Sequence, residues 1–152
     1  MYRHRGGALE VFLIHPGGPY WNRKDAGSWS IPKGEYGDDE APLDAARREF
    51  VEETGIAPGE TFLELRPVRQ AGGKTVHAWA FEGDADPAQI VSNTFEVEWP
   101  PRSGNLKTFP EVDGAAWYGL IEARQKINAG QIPLIDELEA KVSVPTSRNL
   151  NA

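Results

Sequence analysis

The chain has 152 residues, 39% of them hydrophobic and 26% charged, which is the size and mixture of one globular domain spanning residues 1–152. Its 16 Lys and Arg against 23 Asp and Glu give a net charge of −7, which argues against a duplex nucleic acid partner bound through phosphate neutralisation. The chain has no cysteine, which excludes disulfides, zinc–thiolate sites and cysteine nucleophiles. Without an apolar run of membrane-spanning length or a secretory signal, we expect a cytoplasmic protein with no membrane partner.

The first predicted element is a β-hairpin. Gly6-Gly7 separates residues 1–5 from residues 8–14, and a short glycine turn between two strand-like runs is typical of a hairpin. In the second run Leu9, Val11 and Leu13 alternate with Phe12 and Ile14. Since both faces are apolar, we predict a central strand covered on two sides.

The helix that matters most for function is predicted over residues 42–54, with a proline in its first turn and Gly55 as C-cap. The other predicted elements are strands at 28–31, 61–70, 75–81, 95–99 and 115–118, helices at 119–128 and 133–142, and a flexible tail at 143–152. Strands and helices mix without strict alternation, which favours an α/β or α+β fold with helices packed on a mixed sheet.

Three carboxylates share one face of the predicted helix, because Glu49, Glu52 and Glu53 stand at positions i, i+3 and i+4. Such close carboxylates repel one another and raise each other's pKa unless a cation lies among them. Hard oxygen ligands of this kind suit Mg²⁺ or Mn²⁺. The alternative interpretation is a solvated helix face supported by i,i+4 ion pairs that involve Arg48.

The spacing around these residues is more specific. Gly34 is followed after five residues by Glu40, after seven more by Arg48-Glu49, and then by Phe50, Val51, Glu52, Glu53, Thr54, Gly55 and Ile56. This segment resembles the signature box of the Nudix hydrolase family, G-x5-E-x7-R-E-U-x-E-E-x-G-U, in which U is a bulky apolar residue. Phe50 departs softly from the pattern, since an aliphatic residue is commoner there.

The resemblance extends to about residues 8–142, although only the box is highly specific. The run WSIPKGE from Trp29 to Glu35 resembles the W-x-x-P-K-G approach of members that act on diadenosine polyphosphates. The run from Phe109 to Trp117 resembles the C-terminal part of the family. Only five residues precede Gly6-Gly7, so either the first strand is short or the native start lies upstream.

Membership implies an α/β/α sandwich and metal-dependent hydrolysis of a nucleoside diphosphate linked to another group. It implies that Glu49, Glu52, Glu53 and the carbonyl of Gly34 bind Mg²⁺ or Mn²⁺, and that Glu49 also serves as a candidate base. Arg48 would orient Glu49 and hold the helix to the preceding loop. Glu40 is read as a structural partner of that loop, and Gly55 as a structural residue of the box.

Family members often carry one further acidic residue on a loop before the last strand, where it binds metal or acts as a base. We assign Glu111 to this role because it lies six residues before Trp117. Glu98 and Asp113 are rivals. Glu98 reads equally well as a solvent-facing strand residue, and Asp113 as a turn residue.

Four residues are candidates for substrate binding, each with an ordinary structural alternative. Lys33 and the pair Arg102 and Lys107, read as flanking a loop, could contact phosphates, or they could be solvated surface cations. Tyr20 could stack on a base. The histidines His15 and His77 are read as structural.

The expected ligand is a small nucleotide polyphosphate. The W-x-x-P-K-G approach favours a dinucleoside polyphosphate, with a nucleoside triphosphate as runner-up. The alternatives are a nucleotide-sugar or ADP-ribose pyrophosphatase and a nucleotide-binding module without catalysis. The intact acidic positions of the box favour an enzyme over that module.

Overall fold

The computed structural model describes residues 1–142, and the predicted tail at 143–152 lies outside the described residues. Its helices and strands, in chain order, are β1 (Tyr2–Arg5), β2 (Ala8–Pro16), α1 (Pro42–Thr54), β3 (Leu63–Arg69), β4 (Thr75–Ala80), β5 (Thr94–Glu98), β6 (Leu106–Pro110), β7 (Val112–Gly119), α2 (Leu120–Lys126) and α3 (Ile132–Val142). Short 3₁₀ turns lie at Pro87–Gln89 and Ala129–Gln131. Among the described residues, no helix has the length and apolar character needed to cross a membrane.

The strand β2 is the centre of a three-stranded sheet with the order β1-β2-β7. One face of β2 contributes Leu9, Val11 and Leu13 to a core shared with apolar residues of α2 and α3. The other face contributes Phe12 and Ile14 to a second, smaller cluster. The prediction of a central strand covered on two sides is therefore confirmed.

The remaining sheets are two hairpins, β3–β4 and β5–β6. All the ladders are antiparallel, and parallel pairing within residues 1–142 is confined to the isolated bridges Tyr2–Glu82 and Trp29–Ile127. The mixed α/β class is confirmed. The predicted strand at 28–31 is reduced to single bridges at Trp29 and Ser30.

The strand β6 was not predicted, and Lys107, which was expected only to flank a loop, is part of this strand. Lys107 lies within β6, opposite Val97 of β5. The five residues of β6 are mostly exposed, so they carry no alternation of apolar and polar residues that would mark a strand. Their conformation depends on pairing with β5, which is a tertiary contact.

The helix α1 occupies the predicted range, and Gly55 ends it in the left-handed conformation with φ of 72°. Its last turn is tied to the segment that precedes β5. The N–H of Val91 donates to the carbonyl of Thr54 at 2.9 Å, and the N–H of Asn93 donates to that of Glu52 at 2.8 Å. The N–H of Glu111 in turn donates to the carbonyl of Asn93 at 2.8 Å. The connection between β6 and β7 is thus held beside the acidic end of α1.

Candidate functional site

The loop at Gly34 lies directly against the acidic face of α1. A Cβ built on Gly34 would be 1.9 Å from Cδ of Glu49 and 2.2 Å from each of its carboxylate oxygens. Only a residue without a side chain leaves room for this carboxylate. A side chain at position 34 would therefore require the loop or the end of the Glu49 side chain to move, and the loop backbone and Glu49 are immediate neighbours.

The carboxylate of Glu53 points to the same loop. Its Oε2 accepts the backbone N–H of Lys33 at 3.0 Å. The pKa of Glu53 is raised to about 7, mainly by burial and also by the charges of Glu49 and Glu111, while the hydrogen bond from Lys33 opposes the shift. Burial also raises the pKa of Glu49, while the neighbouring Arg48 lowers it. The site therefore gathers carboxylates whose ionised forms are poorly solvated.

The side chain of Glu111 belongs to the same electrostatic cluster, because its charge raises the pKa of both Glu49 and Glu53. Its backbone carbonyl accepts the N–H of Gly17 at 2.9 Å. Together with the hydrogen bond from its own N–H to Asn93, this bond holds the backbone of Glu111 in place. The two rivals are placed differently. Glu98 is exposed on β5, and Oδ1 of Asp113 lies 2.6 Å from Nδ1 of His15.

Arg48 joins the loop to the helix. Its Nε and Nη2 donate to the two carboxylate oxygens of Glu40 at 2.9 and 2.8 Å, a bidentate pair that lowers the pKa of Glu40. Its Nη1 donates to Glu49 at 2.9 Å and to Glu52 at 3.1 Å. One guanidinium thus contacts three carboxylates of the box.

The donor set suits a hard divalent cation. It combines several carboxylates with poorly solvated charges and a glycine carbonyl, which are oxygen ligands of the kind that Mg²⁺ and Mn²⁺ prefer. Within residues 1–142, no three acidic, histidine or cysteine side chains are already arranged to hold a metal ion. Arg48 engages Glu49 and Glu52 while Glu53 engages the loop, so metal binding requires these carboxylates to turn.

The four substrate-binding candidates fall into two places. Lys33 is next to Gly34 and its side chain is exposed. Tyr20 is 56% exposed, and its ring meets that of Trp99 edge to face at 5.3 Å between centroids. Arg102 lies in the turn of the β5–β6 hairpin with φ of 63°, and Lys107 is on β6, about 13 Å along the strand from Glu111. The structure brings Lys33 to the acidic cluster and Tyr20 to the hairpin.

Two features of the region had no clear signal in the sequence. Trp99 was read only as the end of a strand, although its ring supports Tyr20. The contact between His15 and Asp113 joins residues 98 positions apart, and no local pattern marks such a pair. Both histidine nitrogens are used, since Nε2 lies 2.6 Å from the carbonyl oxygen of Lys24, which agrees with a structural His15.

Solved structures resemble the fold over most of the chain. The Ap4A hydrolase of C. elegans has a TM-score of 0.60 at 22% identity and covers 93% of this chain and 92% of its own. The NUDIX domain of Shewanella oneidensis NrtR, complexed with ADP ribose, has a TM-score of 0.57 at 14% identity, and the match covers 92% of this chain and 82% of that domain's chain. The ORF135 protein of E. coli has a TM-score of 0.54 at 23% identity, and the match covers 95% of this chain and 89% of the E. coli chain.

Sequence comparison gives the family. The RNA pyrophosphohydrolase of Bartonella henselae is 50% identical over 70 residues, which are 43% of this chain and 38% of that protein. The match thus spans well under half of that relative's length. The family model described as the NUDIX domain matches residues 2–138. The box, the loop that its first glycine brings against Glu49, and this match together show that the chain belongs to the Nudix family.

Proposed function

We propose that this chain is a metal-dependent pyrophosphohydrolase that cleaves a phosphoanhydride bond in a nucleoside diphosphate linked to another group. The observation that carries the proposal is the cluster of Glu49, Glu53 and Glu111 beside the Gly34 loop, in which burial raises the pKa of Glu53 to about 7. Carboxylates that destabilise one another are expected where a cation or a proton transfer uses them. Nudix hydrolases generally use divalent metals.

The residues have separate roles in this proposal. Glu49, Glu52, Glu53 and the Gly34 carbonyl would hold a divalent cation, which would supply charge that neutralises phosphate oxygens. Arg48 holds Glu49 in place. Glu111, with Glu49 as the alternative, accepts the proton of the attacking water. The water oxygen bonds to phosphorus, the bridging P–O bond breaks, and the leaving phosphate keeps its electron pair.

The proposed substrate is a dinucleoside polyphosphate. The approach from Trp29 to Glu35 resembles that of diadenosine-polyphosphate hydrolases, and it places the exposed Lys33 beside the cluster, where a phosphate chain would lie. The exposed ring of Tyr20 offers a stacking surface for a base. Arg102 and Lys107 add positive charge on the same hairpin that supports Tyr20.

A second candidate substrate is the 5′-triphosphate end of an RNA. The supporting observation is the 50% identity over 70 residues to an RNA pyrophosphohydrolase. The net charge of −7 does not oppose this candidate, because a single 5′ end does not require broad contact with a nucleic acid backbone.

One screen tests these proposals. The full chain is incubated with Mg²⁺ and, separately, with diadenosine tetraphosphate, nucleoside triphosphates, ADP-ribose and a short 5′-triphosphorylated RNA, and the products are separated by chromatography. We expect turnover that excess chelator abolishes and that added Mg²⁺ or Mn²⁺ restores. Turnover that survives the chelator would overturn the metal assignment, and binding of a nucleotide without turnover would favour the non-catalytic module.

A further inference from the structure

A fully buried amide lies behind the loop that carries Gly34. Gln131 is 0% exposed and ends the 3₁₀ turn Ala129–Gln131 that leads into α3. Fully buried polar side chains are uncommon unless their hydrogen-bonding groups are satisfied. The contacts of this side chain therefore show which part of the structure depends on it.

Gln131 connects three segments that are distant in sequence. Its Oε1 accepts the backbone N–H of Ile31 at 3.0 Å. Its Nε2 donates to Oγ of Ser30 at 2.9 Å and to Oε1 of Gln70 at 2.7 Å. Ser30 is itself fixed to β2, since its N–H donates to the carbonyl of Ile14 at 3.0 Å. The amide thus links the start of the loop to the central sheet and to the β3–β4 hairpin.

The other end of the same loop meets the acidic face of α1. The N–H of Lys33 donates to Glu53, and Gly34 lies against Glu49. Only Pro32 separates this end from Ile31. The ring of a proline fixes φ and so restricts how far the backbone on either side of it can move independently. A shift at Ile31 is therefore passed on to Lys33 and Gly34.

We propose that Gln131 is a positioning residue for metal binding, and this inference rests on the proposed role of Gly34 and the box glutamates. Its amide sets where the Gly34 carbonyl stands relative to Glu49 and Glu53. An exposed ion pair between Lys74 and Glu35 also ties the β3–β4 hairpin to this loop. Since exposed pairs contribute little, the buried amide fixes the loop more firmly than this ion pair does.

The test measures metal binding directly. Mn²⁺ is titrated into the full chain and free Mn²⁺ is followed by electron paramagnetic resonance, without substrate. Gln131→Met keeps the length of the side chain and removes all of its side-chain hydrogen bonds, so we expect Mn²⁺ affinity to fall about tenfold or more. Ser30→Ala removes one hydroxyl partner and should weaken binding a few-fold. Gln125→Met on the exposed face of α2 and Lys74→Gln should leave the affinity unchanged.

Steady-state kinetics and melting temperatures separate positioning from general destabilisation. With saturating substrate, Gln131→Met should lower kcat and raise the Mg²⁺ concentration that half-activates the enzyme, with little change in KM. Leu138→Val, a core change in α3, should lower the melting temperature while Mn²⁺ affinity below the transition stays at the wild-type value.

The inference is overturned if Gln131→Met and Ser30→Ala both bind Mn²⁺ like the wild type, or if Leu138→Val weakens Mn²⁺ binding as much as Gln131→Met. If Gln131→Met does not fold, the Mn²⁺ affinity of Ser30→Ala decides the test. A wild-type chain that does not bind Mn²⁺ would instead contradict the proposed function on which the inference depends.

Discussion

Replacing Gly34 by alanine is the sharpest single test of the geometry at the loop. Gly34 is not among the glycines with positive φ, so alanine adds no backbone strain, and its effect comes only from the added methyl group. That methyl group would stand 2.2 Å from both oxygens of Glu49. The methyl group would also stand 1.9 Å from Cδ of Glu49, and because carbon atoms in contact lie about 3.5 Å apart, the loop and the carboxylate must separate by about 1.6 Å.

A displacement of this size is large for a site that must align charges with a reacting phosphate. Misplacement of about 1 Å costs on the order of a hundredfold in rate, and loss of a well-placed ligand also weakens metal affinity. We therefore expect Gly34→Ala to lower kcat about a hundredfold at saturating Mg²⁺ and to raise the Mg²⁺ concentration needed for half-activation. The fold should persist, because Gly34 lies in an exposed loop.

The assay is hydrolysis of the best substrate in the screen across a Mg²⁺ titration, with thermal melting measured on the same samples. Gly119→Ala is the matched control, since Gly119 has φ of −61° and no atom within 4 Å of a built Cβ. It should keep nearly full activity. If Gly34→Ala retained wild-type kcat and Mg²⁺ dependence, the close approach of the loop to Glu49 would have no part in catalysis.

Three other measurements follow from the site. Glu53→Gln should lower kcat at least about a hundredfold with the fold retained, because it replaces an anionic ligand by a neutral one; near-normal activity would contradict the ligand assignment. Since protons compete with metal at Glu53, whose pKa without metal is raised to about 7, activity at limiting Mg²⁺ should rise with pH through neutrality, and a profile that peaks below about pH 6 would count against this. Unfolded Glu53 loses its proton near pH 4.5 but the folded residue keeps it to about 7, so the metal-free protein should lose on the order of 3 kcal/mol of unfolding free energy as pH rises between these values. Glu53→Gln should flatten that slope in urea titrations. Among Glu111→Gln, Glu98→Gln and Asp113→Asn, only Glu111→Gln should lower kcat strongly. If Glu111→Gln keeps the wild-type kcat and one of the other two variants loses it, the residue changed in that variant is the base.

The parts of the fold that sequence could predict are those fixed by local signals. The helix α1 has a proline at its start and a glycine at its end, and the structure places its bounds at Pro42–Thr54. The strand β2 was predicted from apolar residues on both faces, and both faces are buried. In each case neighbouring residues suffice to determine the conformation, so no tertiary contact was needed for the prediction.

The parts that escaped prediction depend on contacts between distant residues. The strand β6 is mostly exposed and has no strand pattern of its own, and it is a strand because β5 pairs with it. Gln131 carries no local signal at all, since its partners Ile31 and Gln70 are 100 and 61 positions away. For the candidate site, the box predicted which side chains share a face, and Glu111 was assigned only through the family resemblance; the backbone contacts at Asn93 and Gly17 now show what holds its loop beside that face.

The acidic end of α1 contradicts local helix preferences, and that conflict is itself informative. The C-terminal end of a helix carries partial negative charge and favours cations, yet the last turn of α1 holds Glu52 and Glu53 and has no basic residue. Burial adds a second cost, because it raises the pKa of Glu49 and Glu53. Arg48 offsets part of this repulsion through its hydrogen bonds to Glu49 and Glu52. A segment that opposes both the helix dipole and solvation, on a helix that ends in a left-handed glycine cap, is expected where the carboxylates serve binding rather than stability. The conflict therefore points to the same face of α1 that the box spacing selects.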